Sequence, residues 1–202
     1  MKQQTSTKSA GRPREFDKDK ALERALELFW RQGYEGTSVE DLATAMGINR
    51  PSLYAAFGNK EALFLKALDR YVDTGMAILR VALEEPTARR AVETLLRGYV
   101  VLVTDPSTPA GCLTVNGALA RSPGTEAICT ELIARRLAFE GALRARLQRA
   151  RKVGDLSSEA NPADLARYVA TIAQGVAVQA VGGASQKQLN HVVDLALRSW
   201  PS

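Results

Sequence analysis

The stretch TSVEDLATAMGINRPSLYAAFGNKEALF, residues 37–64, carries more helix starts and stops than a strand or one long helix could use. Thr37 and Glu40 have the spacing of a capping box, in which a hydroxyl accepts from the N–H three residues on and the carboxylate reaches back. Gly47 stops that helix at no Cβ cost. Asn49 suits the cap of a second helix, whose first turn holds Pro51, a residue with no N–H to leave unpaired. This helix ends near Phe57 and Gly58, and Asn59 caps a third. Helices this short do not stand alone in water, so they must be held by packing. Leu42, Ala43, Met46, Ile48, Leu53 and Phe57 supply an inward face. The outward face of the second helix is then Asn49, Arg50, Ser52, Tyr54, Ala55 and Ala56.

The rest of the chain reads as helix too. Asp17 to Arg31 repeats apolar residues (Ala21, Leu22, Ala25, Leu26, Phe29) at helical spacing, and Gly33 and Gly36 turn the chain after it. The helix capped by Asn59 carries Phe64, Leu68, Tyr71, Val72 and Leu79 on one stripe and closes at Pro86. Helices are predicted over Thr87–Thr104, over Cys112–Ala120, from Ser122 and Pro123 to about Val153, from Pro162 to Val181 and from Gln186 to Trp200. There is no strand pattern and no repeat. The expectation is an all-α chain of about nine helices. A basic arm would occupy residues 1–14, a compact helical head residues 15–60, and a larger helical body residues 61–202.

Composition removes several classes of function. The single histidine, His191, and the two cysteines, Cys112 and Cys129, make no zinc-ligand cluster, no disulfide framework and no histidine-based catalytic centre. No catalytic residue, cofactor or metal is therefore expected, and His191 reads as structural. No apolar run approaches the roughly 18 residues of a membrane span. The net charge is +5 and the sequence pI about 9.4. Lys2, Lys8, Arg12 and Arg14 lie before the first acid, with no apolar segment that would make a secretory signal or a membrane anchor. The expected location is the cytoplasm, with no membrane partner. A second basic run, Arg144 to Lys152, reads as the solvated C-terminal end of a helix.

Two short helices joined by a tight glycine turn, the second opening with small polar residues, describe a helix-turn-helix. The segment FDKDKALERALELFWRQGYEGTSVEDLATAMGINRPSLYAAFGNKEALF resembles the DNA-binding domain of the TetR family of bacterial transcriptional regulators, over about residues 12–65. The likeness rests on the aliphatic first helix, the GY-x-G-T-S turn, the DLA-x-x-x-G positioning helix, the S-L-Y-x-x-F recognition helix and the K-E-x-L that follows. The resemblance implies a double-stranded DNA partner with a palindromic operator, and roles by position. Thr37 would meet a phosphate at its helix N-terminus. Asn49, Arg50 and Ser52 would stand at the mouth of the major groove, where Arg50 can fork onto guanine or hold a phosphate. Tyr54 and Lys60 would contact the backbone, and Arg12 and Arg14 the minor groove. Where relatives often carry Tyr and His, this chain has Ala55 and Ala56, and alanine offers only methyl contact with thymine.

In the C-terminal part, Pro162–Val181 is apolar nearly all round and the last helix is amphipathic. Tyr168, Ile172, Val176, Leu189, Val193 and Trp200 are the residues expected at a two-fold homodimer interface; a monomer core is the other reading of the same stripe. The resemblance favours the dimer. A helical bundle can also enclose a small-molecule effector, with Met76, Tyr99, Val103, Cys112, Asn116, Phe139, Leu143 and Gln174 as candidate walls. Cys112 lies in GCLTVNGALA, which is similar to a segment through which some relatives sense electrophiles or oxidants. A buried, inert thiol is the competing reading. The function so implied is a homodimeric repressor released by a small-molecule or redox effector. The alternative is a small-molecule-binding helical protein or enzyme with a vestigial helix-turn-helix.

Overall fold

The computed structural model describes residues 16–116 and 124–201. Among them are nine α-helices and no strand: α1 Lys18–Gln32, α2 Val39–Met46, α3 Arg50–Phe57, α4 Lys60–Leu83, α5 Ala88–Val103, α6 Leu113–Asn116, α7 Glu126–Lys152, α8 Pro162–Val181 and α9 Gln186–Arg198. Arg12 and Arg14 lie outside the described residues.

The boundaries follow side-chain chemistry at the ends. Asp17 accepts from the N–H groups of Asp19 and Lys20 to open α1, and Gly33 closes it at φ 73°. Asn49 Oδ1 accepts from Ser52 N at 2.8 Å, and Asn59 Oδ1 from Ala62 N at 2.8 Å. At α2 the structure corrects the expected Thr37–Glu40 box. The capping box is Ser38–Asp41, one residue later, with Asp41 N donating to Ser38 Oγ at 3.0 Å and Ser38 N donating to Asp41 Oδ2 at 3.0 Å. Thr37 faces inward instead, and its hydroxyl donates to the Gly33 carbonyl at 2.7 Å.

The head is α1, α2, α3 and the start of α4. Leu42, Leu53, Phe29 and Phe64 are fully buried at its centre, and the Phe29 and Phe64 rings meet edge to face with centroids 5.0 Å apart. Because Leu63 and Phe64 belong to this core, α4 is shared: it begins in the head and ends in the body. At about 1.5 Å per residue it spans roughly 36 Å. In the body, α4 packs on α5, α5 on α8 and α9, and α7 on α8. Gly98 lets α4 and α5 approach closely, since a Cβ there would lie 2.8 Å from Ile78 Cγ2.

Three polar ties fix this frame. The buried Arg146 of α7 donates Nε to the Leu83 carbonyl at 3.1 Å and Nη2 to the Glu85 carbonyl at 2.8 Å, satisfying acceptors at the end of α4. Asp155 accepts from Ala88 N at 2.6 Å at the start of α5. Arg97 bridges Glu93 and Asp194, joining α5 to α9. The start of α7 is revised. The helix expected over Cys112–Ala120 is described over Leu113–Asn116, residues 117–120 lying outside the described residues, and α7 starts at Glu126 rather than at Ser122. Gly124 sits at φ 91°, a left-handed conformation through which a helix cannot run. His191 is exposed on α9 and not part of a core.

Candidate nucleic-acid interface and ligand cavity

The second short helix, α3, is set by its own core face. Leu53 and Phe57 are buried, Gly47 turns the chain at φ 70°, and Asn49 pins the first turn. The opposite face has nowhere to go but solvent. Tyr54 is 50% exposed, Arg50 and Ala55 are exposed, and Ser52 is half-buried beside them. Arg50 Nη2 pairs with Glu40 on α2. Lys60, the first residue of α4, stands 4.3 Å from the centroid of the Tyr34 ring. Burial there holds its ammonium below the usual lysine range, with the Glu35 carboxylate opposing the shift. Asn49, Arg50, Tyr54 and Ala55 are thus exposed, with Ser52 and Lys60 half-buried. Thr37 does not join them: it is wholly buried and its hydroxyl is turned to Gly33, so the N-terminal turn of α2 offers Ser38 at the surface in its place.

The body holds a cavity of about 90 Å³ between α4, α5, α6, α7 and α8. Met76, Tyr99, Cys112, Phe139 and Gln174 line it. Val103 and Leu143 do not; both are fully buried in the surrounding core. Asn116 faces a separate space between head and body, together with Trp30, Tyr34 and Val181. Residues not foreseen in the sequence complete the wall, notably Tyr71, Thr114, Arg135 and Arg136. Periodicity places Tyr71 on the core stripe of α4, and no motif marks Arg136.

Cys112 and Cys129 are both buried and neither is in a disulfide. Cys112 Sγ lies 3.1 Å from Thr114 Oγ1, and the Tyr71 and Tyr99 phenols face the same thiol. Burial, followed by the neighbouring Cys112, pushes both phenols well above the usual tyrosine range, so both keep their protons. Tyr71 Oη lies toward Cys112 and the Leu113 amide yet makes no hydrogen bond of good geometry.

The residues expected at a subunit interface divide by burial. Val176, Leu189, Val193 and Trp200 pack into the chain's own core and leave little surface for a partner. Ile172 is half-buried and Tyr168 exposed. The apolar residues that α8 and α9 turn to solvent are instead Tyr168, Val178, Val181, Val192 and Leu195.

Residues 21–67 match the family described as bacterial regulatory proteins, tetR family, and residues 88–195 match the tetracyclin repressor-like C-terminal domain. The chain is 37% identical over 196 residues to the HTH-type transcriptional repressor ComR of Escherichia coli (strain K12), covering 96% of this chain and 93% of ComR. It is 31% identical over 183 residues to the HTH-type transcriptional repressor BdcR of the same organism, covering 89% of this chain and 86% of BdcR. Among solved structures, a cysteine mutant of the TetR family transcriptional regulator CifR, complexed with 26 bp double-strand operator DNA, aligns with a TM-score of 0.90 at 43% identity, covering 95% of this chain and 100% of CifR. These relatives are regulators of transcription, not enzymes. The chain belongs to the tetR family of bacterial regulatory proteins.

Proposed function

We propose that the protein is a homodimeric transcriptional repressor that binds a palindromic operator through α3 and leaves it when an effector occupies the body. The observation that carries this reading is the division of α3. Its apolar side is consumed by the head's core, and Arg50, Tyr54 and Ala55 are left at the surface beside Lys60. The named repressors among its relatives, and the operator complex of CifR, support the same reading.

Two copies would meet through the exposed apolar face of α8 and α9. A two-fold pair of heads then addresses half-sites about one turn of DNA apart or somewhat more. The effector site is the body cavity. Its wall α6 also touches α1 of the head, so a ligand that prefers a different placement of α6 or α4 shifts the population of head geometries. A reactive Cys112 is a second way to bias the same wall, with an electrophile or oxidant as the signal.

A gel-shift titration on the DNA upstream of the coding sequence tests the proposal. Sequence-selective, salt-sensitive binding is expected, weakened roughly tenfold in Tyr54→Ala. Binding that ignores sequence, or none at low salt, sinks it.

A further inference from the structure

The cavity wall holds a cation that has no carboxylate partner among the described residues. Three carboxylates near that part of α7 pair with other arginines. Arg135 takes Asp69 at 2.6 Å and Glu131 at 2.6 Å, and Arg167 takes Glu140 at 3.0 Å. Arg136, half-buried between them, donates Nη1 to the Thr114 carbonyl at 2.6 Å and has no carboxylate partner among the described residues. A guanidinium carries five N–H donors, and a single carbonyl neither occupies them nor balances the charge. A cation against an apolar wall, partly out of water, favours an anion beside it.

The other polar groups nearby, among them the Thr114 hydroxyl and the Gln174 amide, are uncharged. Thr114, whose carbonyl receives Arg136, holds its hydroxyl against Cys112, and Tyr71 and Tyr99 also approach that thiol. Tyr71 is 6% exposed and its Oη lacks a well-formed hydrogen bond. Among the described residues no acid lines the cavity. The remaining wall is apolar, with Met76, Leu102, Phe139 and Ala173. A guanidinium among uncharged polar groups, with an apolar wall beside it, describes a site for a small amphipathic anion. At about 90 Å³ the space is smaller than the roughly 150 Å³ that admits benzene in an engineered protein cavity.

We propose that the effector is a short-chain carboxylic acid of roughly two to five carbons, its carboxylate on Arg136 and its chain against Met76, Leu102, Phe139 and Ala173. This deepens the effector reading and rests on it. Calorimetry of the full chain with sodium butyrate and with butyramide tests it, because the amide has nearly the same shape and no charge. Butyrate is expected to bind at least tenfold more tightly than butyramide. Arg136→Met, with circular dichroism and a melting curve reporting its fold, is expected to lose butyrate binding, and Arg136→Lys to restore part of it. Equal binding of acid and amide overturns the proposal. So does unchanged butyrate binding in Arg136→Met, or no binding of acetate, butyrate or valerate up to about 10 mM. A gel shift without any acid separates the two claims: its failure strikes the repressor reading, while calorimetry alone judges the carboxylate site.

Discussion

Arg50 and Glu40 face each other in the DNA-free protein across the tip of the helix-turn-helix, and both are largely in water, their side chains 54% and 73% exposed. Such a pair contributes about 1 kcal/mol at most. A phosphate or a guanine edge therefore competes for Arg50 on even terms. Glu40→Gln is expected to raise operator affinity up to about fivefold in a fluorescence anisotropy titration, while stability changes by less than about 0.5 kcal/mol. Weaker binding would show instead that Glu40 aims Arg50 at its target. Tyr54→Ala touches an exposed side chain and is expected to leave the melting temperature within a degree or two while cutting operator affinity by roughly tenfold. At this scale the sequence was legible where a residue's role depends on its neighbours in the chain. Asn49 and Asn59 cap as their spacing predicts. Thr37 was misread because two adjacent hydroxyls, Thr37 and Ser38, each precede an acid by three residues, and only the packing of Thr37 against Gly33 decides between them.

Among the elements, glycine and capping positions carry the sharpest consequences. Gly111 lies at φ 84°, and a Cβ there would come within 2.4 Å of Val181 Cγ2 on α8. Gly111→Ala is expected to cost about 1–3 kcal/mol, read as a lowered denaturant midpoint with an unchanged slope. Ser38→Ala removes the true α2 cap and is expected to cost about 1 kcal/mol. The nine helices were legible from periodicity and caps. The faces of α8 and α9 were not, because an apolar stripe that wide does not say which side meets its own chain and which meets another. Burial separates them: Val176, Leu189 and Val193 point inward, and Val178, Val192 and Leu195 outward. The cavity was half legible for a related reason. Aromatic and thiol groups such as Tyr99, Cys112 and Phe139 stand out in an apolar run, but Arg136 looks like any other arginine on a charged helix until its neighbours' partners are known.

For the whole molecule, assembly and charge set the testable behaviour. Leu195 is 58% exposed. Leu195→Glu is expected to shift a dimer toward monomer in light scattering while leaving the helical circular dichroism signal intact, and to weaken operator binding with it. With a net charge of +5, operator affinity should fall on the order of 10³-fold between roughly 50 and 200 mM salt if about six phosphates are held.

The buried Arg146 at the far end of α4 has a mechanical meaning. It grips the Leu83 and Glu85 carbonyls, and an effector that moved α4 while that end stayed held would make it a fulcrum. Met76, in the cavity wall, lies about 10 Å along the same helix from that end, and Lys60, where α4 enters the head, about 35 Å. A rod pivoted at one end magnifies motion by the ratio of those arms. A ligand that displaces Met76 by one ångström would swing the head by a little over three, enough to take α3 out of step with its groove.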